Sequence, residues 1–401
     1  MPVKSEKATI WTPTFISIFI ANFATQMGQY TMNTLIPKYV NYMGATASMV
    51  GLVTSMFAVT ALVLRPITGP AFDYFSKKKL YVLAVFTIFV AFIGYSSART
   101  VPVMIVFRLL HGVGIGCTAP LGLAIATDSL PAEKIGYGVG MFSLGQAVAS
   151  AIGPSIGLSL SRRIGYPPTF LVGAVLMGIS CVLCLLIKEQ PVEQQGKFAI
   201  SPDRIFARAA VMPAVIYSFL SLAYSCINSF IAIYGEERGV EQIGLFFTAY
   251  AIVLIFSRPI SGTISDKFGV SCVIVPACAL FALSFFLISI STSLPMFIAA
   301  GAVSAFGYGA LQPAIQSLCM RGVPKNRRGA AANTNYAGAD LGNLIGPVIA
   351  GRIVEAVQQS SGSTVNGYSS MYRWMILSIG IALVLYLLNA KKLSGKKSSP
   401  Q

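Results

Sequence analysis

Arg65-Pro66-Ile67-Thr68-Gly69, followed by Asp73 and Phe75, returns 193 residues later as Arg258-Pro259-Ile260-Ser261-Gly262, followed by Asp266 and Phe268. The same register holds without a gap from residue 51 to residue 154. It pairs Gly51 with Gly244, then Gly114, Gly116 and Pro120 with Gly307, Gly309 and Pro313. Further along, Pro131 and Gly136 pair with Pro324 and Gly329, and Gly145, Gly153 and Pro154 pair with Gly338, Gly346 and Pro347. A few glycine coincidences arise by chance in any apolar chain. A whole series in one register marks a duplicated unit.

The surroundings of both copies are apolar. Hydrophobic residues make up 55% of the chain and charged residues 10%, against about a quarter charged in a soluble domain. Runs such as Val82–Gly94 with its flanks, Phe170–Ile187, Val273–Ile290 and Met375–Leu388 repeat along the whole length. Each approaches the ~20 residues needed to cross hydrocarbon. Helices satisfy every backbone group there within one segment, so the fold class is an all-α membrane protein. Each repeat unit holds six spanning segments, which gives twelve transmembrane helices in two six-helix pseudo-symmetric bundles. The expected division is residues 1–187, a charged linker at 188–209, and residues 210–401 with a polar tail. An even number of spans keeps both copies in one orientation. A parallel two-fold repeat of this kind is an architecture of secondary transporters, with the solute site between the halves near the midplane.

A net charge of +16 raises the question of a nucleic-acid partner, and its placement answers it. The N-terminus, the 65–80, 128–137, 258–269 and 321–330 loops, the linker and the tail after Ala390 are assigned to one side. They hold 21 of the 29 Lys and Arg. That bias is the positive-inside signal: it places both termini in the cytoplasm of a cell-membrane protein and leaves no case for nucleic acid. The apolar segment from about Thr12 runs past Ile36 without a small-residue cleavage site, so it reads as the first span rather than a signal peptide. Cys181-x-x-Cys184 sits among Leu and Val without the βαβ context of a redox motif, and reads as packing.

Three motifs stand out. The first is Gly69-x-x-x-Asp73-x-x-x-Lys77-Lys78 after the second span, with Gly262 and Asp266 as its second copy. Asp73 can sit at a helix N-terminus, where negative charge is stabilised by ~0.3–1 kcal/mol. The second is Arg108-x-x-His111-Gly112-x-Gly114 in the fourth span. An arginine inside an apolar helix is a functional candidate by default, and His111, the chain's single histidine, lies one turn away on the same face. Each reads either as a cavity residue with a role in proton coupling or as a structural hydrogen-bonding group. The third is the small-residue pattern Gly145, Ala149, Gly153-Pro154 in the fifth span, with Gly338, Gly342, Gly346-Pro347 in the eleventh. Small residues every four positions let helices approach closely, and proline bends them.

Together these motifs resemble the major facilitator superfamily, and within it the drug:proton antiporter branch, over essentially the whole chain. The resemblance implies the major facilitator fold, a cytoplasmic loop that latches the two halves, an arginine in helix 4 linked to proton coupling, and a helix-5 motif that marks antiporters. It implies a monomer as well. The chain departs from the pattern at Tyr74, Ser76, His111, Ala149 and Leu158.

Asp340 is singled out by physics alone. It lies about 16 Å into the eleventh span at ~1.5 Å per residue, and an Asp at a helix centre costs ~2.5–3.5 kcal/mol on the insertion scale. Asn333, Tyr336, Asp340 and Asn343 form one polar stripe, about half a turn from the Gly338/Gly342/Gly346 ridge. Asp340 therefore reads as a proton or cation site, or as a structural hydrogen-bond partner. In the family, helices 1, 4, 7 and 10 line the cavity. That placement makes cavity candidates of Asn22, Gln26, Gln29 and Asn33, of Tyr217, Tyr224 and Asn228, and of Tyr308, Gln312 and Gln316.

The expectation is a secondary transporter of a small amphipathic or polar solute, exporting it in exchange for protons by alternating access, without cofactor or metal. A proton symporter importing a sugar, an organic acid or another small metabolite is the alternative on the same fold. A membrane enzyme would need a nucleophile and base or clustered ligands, and none is visible.

Overall fold

Prolines and glycines set where the apolar runs begin and end. Thr12 caps the first helix by accepting from the Phe15 amide at 3.1 Å, with Pro13 at the first helical position, where its missing N–H costs nothing. Gly165, at φ +83°, is the single residue between the fifth and sixth helices. That turn needs a conformation open to glycine.

A computed structural model describes residues 11–131, 134–187, 205–321, 323, 324 and 327–393, without the side chains of 69, 72, 73, 135–137, 139, 140, 143, 151 and 328. Lys4, Lys7, linker residues 188–204 and the tail beyond Leu393 lie outside the described residues, as do the side chain of Asp73 and the surroundings of Gly69. The helices are α1 (Pro13–Tyr42), α2 (Ala47–Tyr74), α3 (Lys77–Ser97), α4 (Val101–Asp128), α5 (Ile135–Ile164) and α6 (Tyr166–Leu185). They continue as α7 (Arg208–Glu237), α8 (Leu245–Phe268), α9 (Ser271–Ile290), α10 (Leu294–Met320), α11 (Arg328–Ser361) and α12 (Thr364–Leu393).

The duplication is visible in the packing. In the first half α1 packs on α5 and α6, α3 on α4 and α6, and α2 on α4; in the second half α7 packs on α11 and α12, α9 on α10 and α12, and α8 on α10. The halves meet chiefly along two pseudo-symmetric seams, α2 with α11 and α5 with α8, with α1 against α7 between them. Among the described residues nine helices are long and apolar enough to cross a membrane on hydropathy alone; α1, α5 and α11 are not among them. All three contribute to contacts between the halves. An interior seam tolerates glycine and polar side chains that a lipid-facing surface does not.

Two expectations change here. The 65–80 and 258–269 stretches are mostly helix, not loop: only Phe75 and Ser76 separate α2 from α3, and α8 runs on to Phe268. Arg65 and Arg258 are therefore intrahelical residues, and Asp73 lies in the last turn of α2 rather than at a helix N-terminus.

Candidate functional site: a polar cavity between the halves

One end of the interface between the halves is sealed. Lys38 of α1, almost fully buried, pairs with Glu236 of α7 at 3.2 Å. The Ser48 amide donates to Glu355 at 3.3 Å and its hydroxyl donates to the same carboxylate. The Ser155 hydroxyl donates to the Gly244 carbonyl at 2.6 Å and lies 2.9 Å from the Thr248 hydroxyl.

Below this seal lies a cavity of about 170 Å³ between the two halves. Pockets that enclose drug-sized ligands run ~300–1,000 Å³, so the site is partly closed in this conformation. Gln26, Gln29 and Asn33 of α1, Tyr217, Tyr224 and Asn228 of α7, Tyr308 and Gln312 of α10, and Tyr336 and Asp340 of α11 all line it. Asn22 and Gln316 do not. Asn22 is buried beside Gly122, and Gln316 lines a second cavity toward the ends of α8 and α10, which shares Gln146, Arg258 and Gln312 with the first. The lining also draws on α2, α5 and α8 through Arg65, Gln146 and Arg258.

One wall is aromatic. The Tyr224 and Tyr308 rings stack at 3.9 Å and 4°, Tyr250 stands 6.1 Å from Tyr224, and the Tyr217 and Tyr308 hydroxyls meet at 3.3 Å. The opposite wall is charged. Asp340 accepts from Arg65 Nε at 2.8 Å, with the two side chains only 7% and 3% exposed. Arg65 also donates to the Gly116 carbonyl at 3.2 Å and lies over the Tyr336 ring at 4.9 Å. Asn333, on the same stripe as Asp340, leaves the cavity and donates to the Arg65 and Ile205 carbonyls, both at 3.1 Å.

Arg65, not Arg108, is thus the partner that the structure gives Asp340. Arg108 is fully buried away from the cavity, donates to the Val53 carbonyl at 3.3 Å and to the Thr54 carbonyl, and lies 4.6 Å over the Phe57 ring. His111 shares its burial, with Nδ1 3.0 Å from the Tyr95 hydroxyl. Neither residue lines the cavity, and Arg108 Nη1 and His111 Nε2 are buried without a hydrogen-bond partner among the described residues.

The glycine ridge packs against α7. A Cβ at Gly338, Gly342 or Gly346 would collide with the carbonyls of Ala214, Ser218 and Leu222 respectively. On α5, Gly145 faces Phe19 and Gly153 faces the α1 backbone at Met27, while Pro154 and Pro347 lie within their helices. Lys77 reaches Asp128 at 2.6 Å, and Lys78 reaches the carbonyls of Leu185 and Ile187 at 2.8 and 2.6 Å. These contacts of the basic pair stay within the first half. In the second copy Gly262 has open space around it and Asp266 is exposed.

Two pseudo-symmetric six-helix halves around a shared polar cavity define a carrier of solutes across a membrane, not an enzyme. The chain belongs to the Major Facilitator Superfamily, whose family model matches residues 18–241 and again 213–400. An uncharacterised transporter of the same type from Methanocaldococcus jannaschii is 24% identical over 92% of this chain and 96% of its own length. A multidrug resistance efflux pump of Streptococcus pneumoniae is 24% identical over 84% of this chain and 88% of its own. Among solved structures, a bacterial homologue of the human lysosomal transporter Spinster, inward-facing and unoccupied, superposes with a TM-score of 0.80 at 14% identity. It covers 96% of this chain and 98% of its own.

Proposed function

We propose that this transporter exports an amphipathic solute in exchange for protons by alternating access, residues 1–187 and 210–401 rocking about the cavity while 188–209 tethers them. The observation that carries the reading is the buried Arg65–Asp340 pair, which joins α2 of one half to α11 of the other at the cavity wall. Removing one partner of a buried pair leaves an uncompensated charge, a penalty of ~3–5 kcal/mol. The empty carrier is therefore held from rocking. A proton on Asp340 releases Arg65, and so does a cationic group of the solute that takes the carboxylate instead. Because the two compete for one carboxylate, they cross in opposite directions. The positive-inside assignment makes the sealed end external and directs the second cavity, lined by Ser261, Ser265, Asp266 and Gln316, toward the cytoplasm. Both termini are then cytoplasmic in a cell membrane.

One charge moving through ~100 mV supplies ~2.3 kcal/mol. At ~1.4 kcal/mol per tenfold this sustains a roughly fifty-fold gradient, sufficient for efflux. The efflux pump among the relatives supports this direction.

The test is proton flux in liposomes holding the purified protein and a pH-sensitive dye, wild type beside Asp340→Asn, challenged with amphipathic cations, zwitterions, sugars and organic acids. Solute-evoked flux that vanishes in the variant supports the reading. Flux unchanged in Asp340→Asn removes Asp340 from coupling and turns attention to Arg108 and His111. Protons moving with the solute rather than against it identify a symporter.

A further inference from the structure

The duplication places the two cavity arginines in equivalent positions, Arg65 on α2 and Arg258 on α8. Their surroundings are not equivalent. The residue 193 before Asp340 is Ala147, which packs on α8 against Tyr250 and Leu254, one turn from Arg258. Where the α2–α11 seam carries an acid, the α5–α8 seam carries a methyl group. Arg258 forms no ion pair among the described residues. It donates through Nη2 to Gln312 at 3.0 Å, and its buried Nε has no hydrogen-bond partner. Asp266, two turns further along α8, is exposed and forms no ion pair with it among the described residues.

A guanidinium has five donors in a planar fork that matches carboxylate and phosphate. A buried donor without an acceptor is unfavourable, by an amount comparable to a lost hydrogen bond. Among the lining side chains the cationic groups are Arg65 and Arg258 and the acidic group is Asp340, so the cavity keeps one positive charge even with the Arg65–Asp340 pair intact. Gln312 holds Nη2 of Arg258, a residue of the cavity lining, while the buried Nε has no acceptor in this conformation. The stacked Tyr224 and Tyr308 rings offer a flat apolar wall in the same cavity.

From these contacts we infer that Arg258, oriented by Gln312, binds an acidic group of the transported solute, which is therefore an amphipathic zwitterion rather than a simple lipophilic cation. This rests on the exchange reading above, in which a cationic group meets Asp340; the acid lies on Arg258 and the apolar body on the tyrosines. The acid supplies the missing counterion of the second seam when the solute is bound.

Matched probes test this on the purified full-length protein: 2-naphthylalanine, its carboxamide, and 2-(2-naphthyl)ethylamine, with binding followed by tyrosine fluorescence. The expected result is that the zwitterion binds on the order of tenfold more tightly than its amide, the range of one charge-assisted hydrogen bond. That preference disappears in Arg258→Gln. Ala147→Asp, which supplies an internal acid at the equivalent position, reverses it toward the amide and amine without removing Arg258, so the inference stands even if Arg258→Gln fails to fold. Equal binding of acid and amide by the wild type, a preference retained in Arg258→Gln, or no binding of the zwitterion overturns the inference. Proton flux run in parallel separates the two readings. Flux intact without acid preference removes this subsite alone, and acid preference without flux removes coupling alone.

Discussion

The seams α2–α11 and α5–α8 are built from two copies of one segment pair, yet they do different things. In both, the glycine that opens the α2-type helix faces the proline-bearing stretch of its partner. Gly51 lies so close to the Pro347 carbonyl that a Cβ would overlap it, and Gly351 is likewise against the Ala47 carbonyl. Gly244 faces Ser155 less tightly, with a Cβ 3.3 Å from the Ser155 Cα. Toward the other end the α2–α11 seam continues into the Arg65–Asp340 pair and Asn333. The α5–α8 seam passes Ala147 and reaches Gln146 and Arg258, where the second cavity begins. Equal scaffolds with unequal charges yield one seam held by an ion pair and one whose arginine forms no ion pair among the described residues. On the proposed reading one seam holds the switch and the other the binding group.

The largest effect should follow from erasing the difference at its source. Asp340→Asn leaves both cavity arginines without a carboxylate partner, and solute-evoked proton flux in liposomes is expected to fall to background. Ala147→Asp equalises them in the other direction. A second ion pair worth even ~1.4 kcal/mol in the resting conformation slows rocking about tenfold, read as turnover at saturating solute. The glycines sharpen the contrast in packing. Gly51→Ala forces the α2 backbone off Pro347 and is expected to destabilise by ~1–3 kcal/mol, the range for overpacking. Gly244→Ala meets a tight contact, 3.3 Å from the Ser155 Cα, that a shift of a few tenths of an ångström relieves, and should lower the melting point in detergent by less than Gly51→Ala does. Smallest is Ser155→Ala, which gives up the hydroxyl contacts to Gly244 and Thr248 and should lower stability by ~0.5–1.5 kcal/mol. If Gly244→Ala proves as harmful as Gly51→Ala, the seams pack alike and only their charges differ.

Much of this was legible in the sequence. The repeat defined two halves and reached α5 and α11, which hydropathy alone does not because glycine and polar residues dilute their apolar content, whereas α1 is read from the uninterrupted segment after Thr12. The Asn333–Asn343 stripe and the small-residue ridge separated on α11 as their spacing predicts, three stripe residues to the cavity and the glycines to α7. What the sequence hid was Arg65. Its position just before Pro66 at the end of an apolar run reads as a helix boundary, since the residue before proline is disfavoured in a helix. Both Pro66 and Pro70 instead lie inside α2. The repeated Arg-Pro dipeptide was the available signal, because two cations at the same depth of equivalent helices are seldom both in loops. Arg108 drew attention by lying mid-helix, and its partners are carbonyls of α2 that no pattern of residue types reveals. The missing acid at Ala147 was harder still, as it appears only when one copy is laid on the other.

Asn333 bears on the proposed rocking of the halves. Its amide donates to the Arg65 carbonyl on α2 and to the Ile205 carbonyl just before α7. The Ala207 amide adds a bond to the Thr334 hydroxyl at 3.0 Å, and Arg327 adds one to the Phe206 carbonyl at 3.2 Å. The end of the linker is thus fastened to α11 by three bonds, and α2 is held at this amide by one. In the exchange proposed above Asn333 acts as a pivot pin: the linker end and α11, tied by three bonds, move together, and the single bond to the Arg65 carbonyl is the one that breaks as the halves swing. On that reading the covalent tether pulls on α11 itself, two turns from Asp340.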